Sequence, residues 1–191
     1  MSKPDVNYEG VADNKSPVSI TDRTIQPHAP HIWDDVFKLS NAWAVTVANC
    51  DINPEGGNRE DGIDINRYSR ECIIQDCRVR AGDKYAFTIK GGSRFIDLKN
   101  IVIHGPRGKE GVDIDIGNYA GQSYAMTHNI NIDNVNREDG EPVRIRIGRG
   151  CDVNIRNSNV KILVFQSILL KVYVWAKFNL VKIWPKLEGK I

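Results

Sequence analysis

The chain has 191 residues, 41% of them apolar and 26% charged, with a formal net charge of +2. That length suits one domain, and that balance excludes wholesale disorder and leaves enough apolar side chains for a core. The charge is uneven: from Lys161 onward stand six Lys and one Glu, a balance of +5, against 20 basic and 23 acidic residues before it, a balance of −3.

Residues 1–30 are rich in Pro, Asp and Ser and lack the apolar run of a signal peptide, so none is expected. Within them SPVSITDRTI is predicted to form a strand over an open solenoid end, because such ends expose strand edges and an apolar cross-section. DVFKL, ending at Leu39, reads as a first strand, AVTVANCDI as a second, and NPEGGNRE as the loop that follows.

From residue 61 to 116 one pattern repeats: an alternating apolar strand, a polar turn, then a second strand ending in apolar-x-Asn/Asp-apolar. Ile65, Ile89, Ile116 and Ile147 close copies of the first strand; Val47, Ile74, Leu98, Ile132 and Ile155 mark the second. Period-two alternation indicates half-buried strands, and its recurrence at a spacing of tens of residues indicates a solenoid whose coils must stack to bury a face. Asn49, Asp76, Asn100, Asn134 and Asn157 follow the second-strand markers by two residues and are predicted to form a structural ladder of stacked, buried amides at a turn. Cys50 and Cys77 come just after ladder residues and are expected to pack inward as free thiols. Cys72 and Cys151 begin second strands, and no Cys-x-x-Cys suggests zinc.

The repeat and its Asn positions resemble the right-handed parallel β-helix of the pectin-lyase-like superfamily over roughly residues 31–162. The fold expected is therefore all-β: a short single-stranded right-handed parallel β-helix over 31–162, an N-terminal arm or cap over 1–30, and an apolar, basic cap or assembly element over 163–191. On the first strands the polar residues alternate outward, giving a column of Asp64, Thr88, Asp113 and Asp115, then Arg144 and Arg146. Neighbouring strands lie about 4.8 Å apart, so residues of successive copies become neighbours. The column reads either as a solvated, ion-paired face or as a shallow groove for a polyhydroxylated or charged polymer, with Asp64, Asp113, Asp115, Arg144 and Arg146 as its substrate-binding residues.

A narrower resemblance is to polygalacturonase-type glycoside hydrolases, which carry four short motifs on successive first strands. The counterparts here are Arg59-Glu60-Asp61 before Gly62-Ile63-Asp64, then Gly82-Asp83-Lys84, Lys109-Glu110-Gly111 and Arg144-Ile145-Arg146. The resemblance implies Asp61 and Asp83 as catalytic candidates, since such hydrolysis needs two carboxyl groups across one sugar bond. The position of the family's general acid holds Lys84 or, in another register, Tyr85, and its histidine position holds Glu110 or Val112. These departures lean against activity. Lyase chemistry on uronates is a further option, with Arg144 or Arg146 neutralising the carboxylate and Asp113 and Asp115 able to seat calcium; no metal or cofactor is nonetheless expected.

His28, His31, His104 and His128 lie in separate segments without matched spacing, and the insertion at 118–127 could overhang the groove. The run 163–184 is long enough to span a bilayer, but Lys171, Lys177 and Lys182 interrupt it. Its β-branched and aromatic content favours strand over helix. Left alone it exposes too much apolar area, so it must cap the last coil, bind a second chain or sit on a membrane surface. Tyr173, Trp175, Phe178 and Trp184 are its assembly anchors. The function expected is a non-catalytic structural or carbohydrate-facing module of a larger assembly, at a virion or extracellular surface, self-associating as a trimer and without a nucleic-acid partner; the alternative is a polysaccharide-degrading hydrolase or lyase acting on acidic glycans.

Overall fold

The computed structural model describes residues 7–9, 18–25, 35–56, 60–117, 127–148, 151–164, 172–176 and 179–181; of 7–9, 164, 172–176 and 179–181 it describes the backbone. The chain is all-β, a parallel β-solenoid of about four turns with strands continuing the stack at both ends.

The N-terminal set is β1 (Asn7–Glu9), β2 (Val18–Thr21) and β3 (Thr24–Ile25). The four turns are β4 (Phe37–Ser40), β5 (Val45–Ala48) and β6 (Asp51–Ile52); β7 (Asp61–Asn66), β8 (Arg70–Gln75) and β9 (Arg78–Arg80); β10 (Tyr85–Ile89) and the long β11 (Arg94–His104); and β12 (Ile114–Ile116) and β13 (His128–Arg137). Then come β14 (Val143–Ile147), β15 (Val153–Arg156), β16 (Val160–Val164), β17 (Val172–Ala176) and β18 (Asn179–Val181). The first sheet runs β1-β4-β7-β10-β12-β14-β16, and the second runs β2-β5-β8-β11-β13-β15-β17-β18. A short third face pairs β3, β6, β9 and the far end of β11.

The repeat markers stack in register. Leu39, Ile65, Ile89, Ile116 and Ile147 form one column, and Val47, Ile74, Leu98, Ile132 and Ile155 another. A parallel ladder holds identical strand positions side by side, so each inward aliphatic meets its counterpart from the next coil. All of these side chains are buried. The four cysteines are free and buried, and Cys50 N–H approaches Cys77 Sγ at 3.5 Å.

Parallel pairing extends past the boundaries expected from the sequence. β2 and β3 lie on β5 and β6, covering that end as SPVSITDRTI suggested, but as further members of the stack. At the other end β16 pairs with β14 and β17 with β15, so the pattern runs beyond 162. It stops where β18 turns back antiparallel on β17.

The ladder needs correction. Asn49, Asp76, Asn100, Asn134 and Asn157 do form one column, but their side chains are exposed. What they share is backbone: φ lies between 49° and 54° at all five. Asn and Asp tolerate this left-handed conformation better than other L-residues, so they mark the corner between the second and third faces. The outward amides still link up, Asn100 Nδ2 donating to Asp76 Oδ1 at 2.9 Å and Asn134 Nδ2 to Asn100 Oδ1 at 3.0 Å. Asn157 leaves the line and donates to Asp133 at 2.8 Å. A second left-handed column, Ala44, Glu71, Phe95 and Asn129, opens the second sheet.

Candidate functional site

The polar column of the first sheet is real in register. Lys38, Asp64, Thr88, Asp115 and Arg146 are successive partners across β4, β7, β10, β12 and β14. Asp113 lies two residues before Asp115, and the next strand's Arg144 stands at the matching position: Asp113 N–H donates to Arg144 O at 2.9 Å, and Arg144 N–H to Asp113 Oδ2 at 2.8 Å. The column is not solvent-facing, however. Asp64 and Asp113 are 0% exposed, Thr88 is 2% and Asp115 is 3% exposed. All six residues of β7 are buried, on both faces. Lysine and arginine heads meet the column's carboxylates.

At one end of this face, Lys38 Nζ reaches Asp35 Oδ2 at 3.1 Å and Asp64 Oδ2 at 3.4 Å, while Lys90 Nζ reaches Asp64 Oδ1 at 3.2 Å. Asn66 Nδ2 donates to Asp64 Oδ2 at 2.5 Å. Asp61, 2% exposed, stands beside this group without an ion pair among the described residues. Burial, and then the charge of Asp35, push its carboxyl up to about 7. Burial and Asp64 push Asp35 up to about 6.

At the other end, Asp113 is gripped by Arg107 Nε at 3.0 Å, Arg137 Nη1 at 2.7 Å and the Arg144 amide. Arg137 also donates to Gly105 O and to Asp139, which it holds down at about 2. Asp115 receives both Nε and Nη2 of Arg146 at 2.9 Å, the two-pronged pairing that a planar guanidinium makes with a carboxylate. Arg146 lies over the Tyr85 ring, 5.2 Å from its centre, and donates to the Tyr85 hydroxyl. Burial and the Asp115 charge raise the Tyr85 phenol.

The catalytic candidates are not brought together by these contacts. Asp61 sits in the Asp35–Asp64 group, whereas Asp83 is bound by Lys109 at 2.7 Å in the loop before β10. Lys84 is held by Glu60 at 2.8 Å. The Gly62 of the first motif has a packing reason: a Cβ there would stand 2.6 Å from the Arg80 carbonyl and 2.8 Å from the Ala86 carbonyl. Its neighbours approach too closely for any side chain. Shallow depressions of about 540 Å³ and about 260 Å³ flank Arg107, the first lined by Gly105, Arg137, Glu138 and Asp139, the second by Arg80, Asp83 and Lys109. Neither is lined by Asp61, Asp64 or Asp115.

Asp35, Lys38, Lys90, Arg107 and Arg137 escaped the sequence reading as members of this face. Asp35 and Lys38 carried a usable signal, since DVFKL is a first strand and places Lys38 in the column. Arg107 and Arg137 carried none, because they come from the stretch after β11 and the end of β13. His104 is buried, its Nε2 3.6 Å from Asp51 Oδ1, and burial and then Arg78 lower its pKa. His128 meets the Phe95 ring edge-on. Tyr173 and Trp175 fall on β17, in register with Asn154 and Arg156. Phe178, Trp184, His28, His31, Arg59 and residues 118–126 lie outside the described residues.

Among the described residues, no group of three His, Cys, Asp or Glu side chains could hold a metal ion, and no helix is long and apolar enough to cross a membrane. The fold defines the class as a parallel β-solenoid. Comparison with protein-family models, curated proteins and solved structures finds no match to this chain.

Proposed function

We propose that the chain is a non-catalytic β-solenoid module of a larger assembly, of the structural or carbohydrate-facing kind found in virus and phage particles as spikes, fibres or decorations. One observation carries the reading. Asp64, Asp113 and Asp115, three of the acids of the first-sheet face, are all buried and all engaged by lysine or arginine of the same chain. Hydrolysis of a glycan needs two carboxyl groups facing a sugar bond with room for the bond between them. Carboxylates used up in internal ion pairs stabilise the stack instead. The resemblance to polygalacturonase-type enzymes then reflects shared ancestry of the scaffold.

The second reading, a hydrolase or lyase on acidic glycans, draws on Asp61, whose carboxyl is raised to about 7 as a general acid's would be. Incubation with polygalacturonate and alginate separates the two. The expected result is no new reducing ends and no unsaturated products; turnover abolished by Asp61→Asn would promote the enzyme reading. The apolar C-terminal segment is proposed to drive self-association, as a trimer. A solution-mass measurement should then find a multimer for the full chain and a smaller species after truncation at Val160, while equal masses would reduce the tail to an intramolecular cap.

A further inference from the structure

Among the described residues, the group at the β4–β7 end of the first sheet does not balance its charge. It holds three carboxyl groups, Asp35, Asp61 and Asp64, which are 6%, 2% and 0% exposed, and two ammonium groups, Lys38 and Lys90. A lone buried carboxylate is costly enough that such a group takes up a proton instead. The contacts decide which one. Lys38 serves Asp35 and Asp64, Lys90 serves Asp64, and Asp61 is left without an ion pair among the described residues. Asp61 Oδ1 and Asn66 Oδ1 are buried without hydrogen-bond partners, and the Thr88 hydroxyl beside Asp61 works to lower its carboxyl.

We propose that Asp61 is a buried proton-binding group that latches β4 to β7 and loosens the joint as the pH rises toward neutrality. Protonated, Asp61 leaves two carboxylates facing two ammonium groups, and the group is neutral. Ionised, it adds a third negative charge beside Asp35 and Asp64, and among the described residues only Lys90, already paired with Asp64, offsets it. The relief is water, and water reaches Asp61 when β4 lifts, because the segment entering β4 lies directly against it: Val36 N–H donates to Asp61 O at 2.9 Å, and Asp35 acts on its carboxyl. The described groups that act on Asp61 are Asp35 from the β4 side, Asp64 on β7, and Thr88 and Lys90 from β10 and its end; Lys38 and Asn66 reach it only through Asp35 and Asp64. The neighbouring Glu60 is occupied by Lys84. The raised carboxyls of Asp61 and Asp35 agree with this charge count. β4 is a suitable moving part: on its far side it pairs with the three-residue β1.

The test is amide hydrogen exchange of the full chain, corrected for intrinsic rates, at pH 5 to 8. Protection of Phe37–Ser40 is expected to fall by up to about tenfold per pH unit between pH 5 and 7, the limit set by one linked proton, and to level off above. Val153–Arg156, at the other end, should show no such slope. Asp61→Asn, which keeps the shape without the charge, should remove most of the slope and hold β4 as firmly at pH 8 as at pH 5. Flat protection in the wild-type chain, or a slope that survives in Asp61→Asn, overturns the latch. If that variant does not fold, ¹³C titration of the wild-type aspartate carboxyls decides: one midpoint near 7 supports the proposal, and a full set ionised by pH 5 overturns it.

Discussion

Two polar columns run the length of this solenoid, built from overlapping residue types and ending in opposite environments. The first-sheet column of Asp64, Thr88 and Asp115 is buried beneath lysine and arginine side chains. The corner column of Asn49, Asp76, Asn100, Asn134 and Asn157 stands in solvent. In the first, the side chain is what matters, because a buried carboxylate must find a cation. In the second, the backbone is what matters, because the corner demands a positive φ that Asn and Asp tolerate. The same letters in the same repeat therefore do different physical work, and substitution separates them.

The largest effect is expected at Asp113. Asp113→Ala leaves Arg137, whose side chain is 3% exposed, without its buried partner, and leaves Arg107 with the Pro142 carbonyl but no carboxylate. Equilibrium denaturation should show a loss of about 3–5 kcal/mol, the usual result of breaking one side of a buried pair.

Next comes pH. Asp61 and Asp35 have folded-state values of about 7 and about 6, above the roughly 3.9 of an unfolded Asp. The folded chain therefore holds protons more tightly than the unfolded chain between about pH 4 and 7, and the stability this contributes is lost as pH rises through that window. His104, lowered by burial and Arg78, works in the other direction but with a smaller departure. The thermal midpoint should be about 4 °C or more higher at pH 5.5 than at pH 7.5, and in Asp61→Asn the difference should shrink to the smaller part that Asp35 contributes.

The corner column should respond to backbone preference alone. Asn100→Ala puts a Cβ-bearing residue without a turn-forming side chain at φ 51° and should cost about 1 kcal/mol, while Asn100→Gly should be close to neutral. An Asn100→Gly loss as large as the Ala loss would show that the exposed amide chain, not the φ angle, is the contribution. Smallest of all is the surface pair Arg78–Glu138, half exposed on both sides at 2.9 Å. Arg78→Ala should change stability by about 0.5 kcal/mol or less.

The contrast also explains what could be read beforehand. The stack was legible because parallel register repeats the chain's own spacing: Ile65, Ile89, Ile116 and Ile147 announce one column, and the Asn positions announce one corner. The alignment of Asp64, Thr88, Asp115 and Arg146 followed from the same period. Burial did not follow, because alternation says which way a side chain leaves the sheet and nothing about what then covers it. The cover is supplied by Lys90 beyond a strand end and by Arg107 and Arg137 from outside the first sheet, placed by loop geometry that leaves no periodic trace. The left-handed column at Ala44, Glu71 and Phe95 was equally silent, since none of those residues signals a positive φ as Asn does.

The central claim is that the first-sheet face is an internal ion-pair array and not an open groove, and a double-mutant cycle on Asp115 and Arg146 tests it most directly. The pair is two-pronged, with both contacts at 2.9 Å and Asp115 3% exposed. Denaturation of the wild-type chain, Asp115→Ala, Arg146→Ala and the double variant should give a coupling of about 2 kcal/mol or more that persists in high salt, as for a pair sheltered from solvent. A coupling near zero, or one erased by salt, would mean a solvated face with its charges free for a ligand, and would contradict the account.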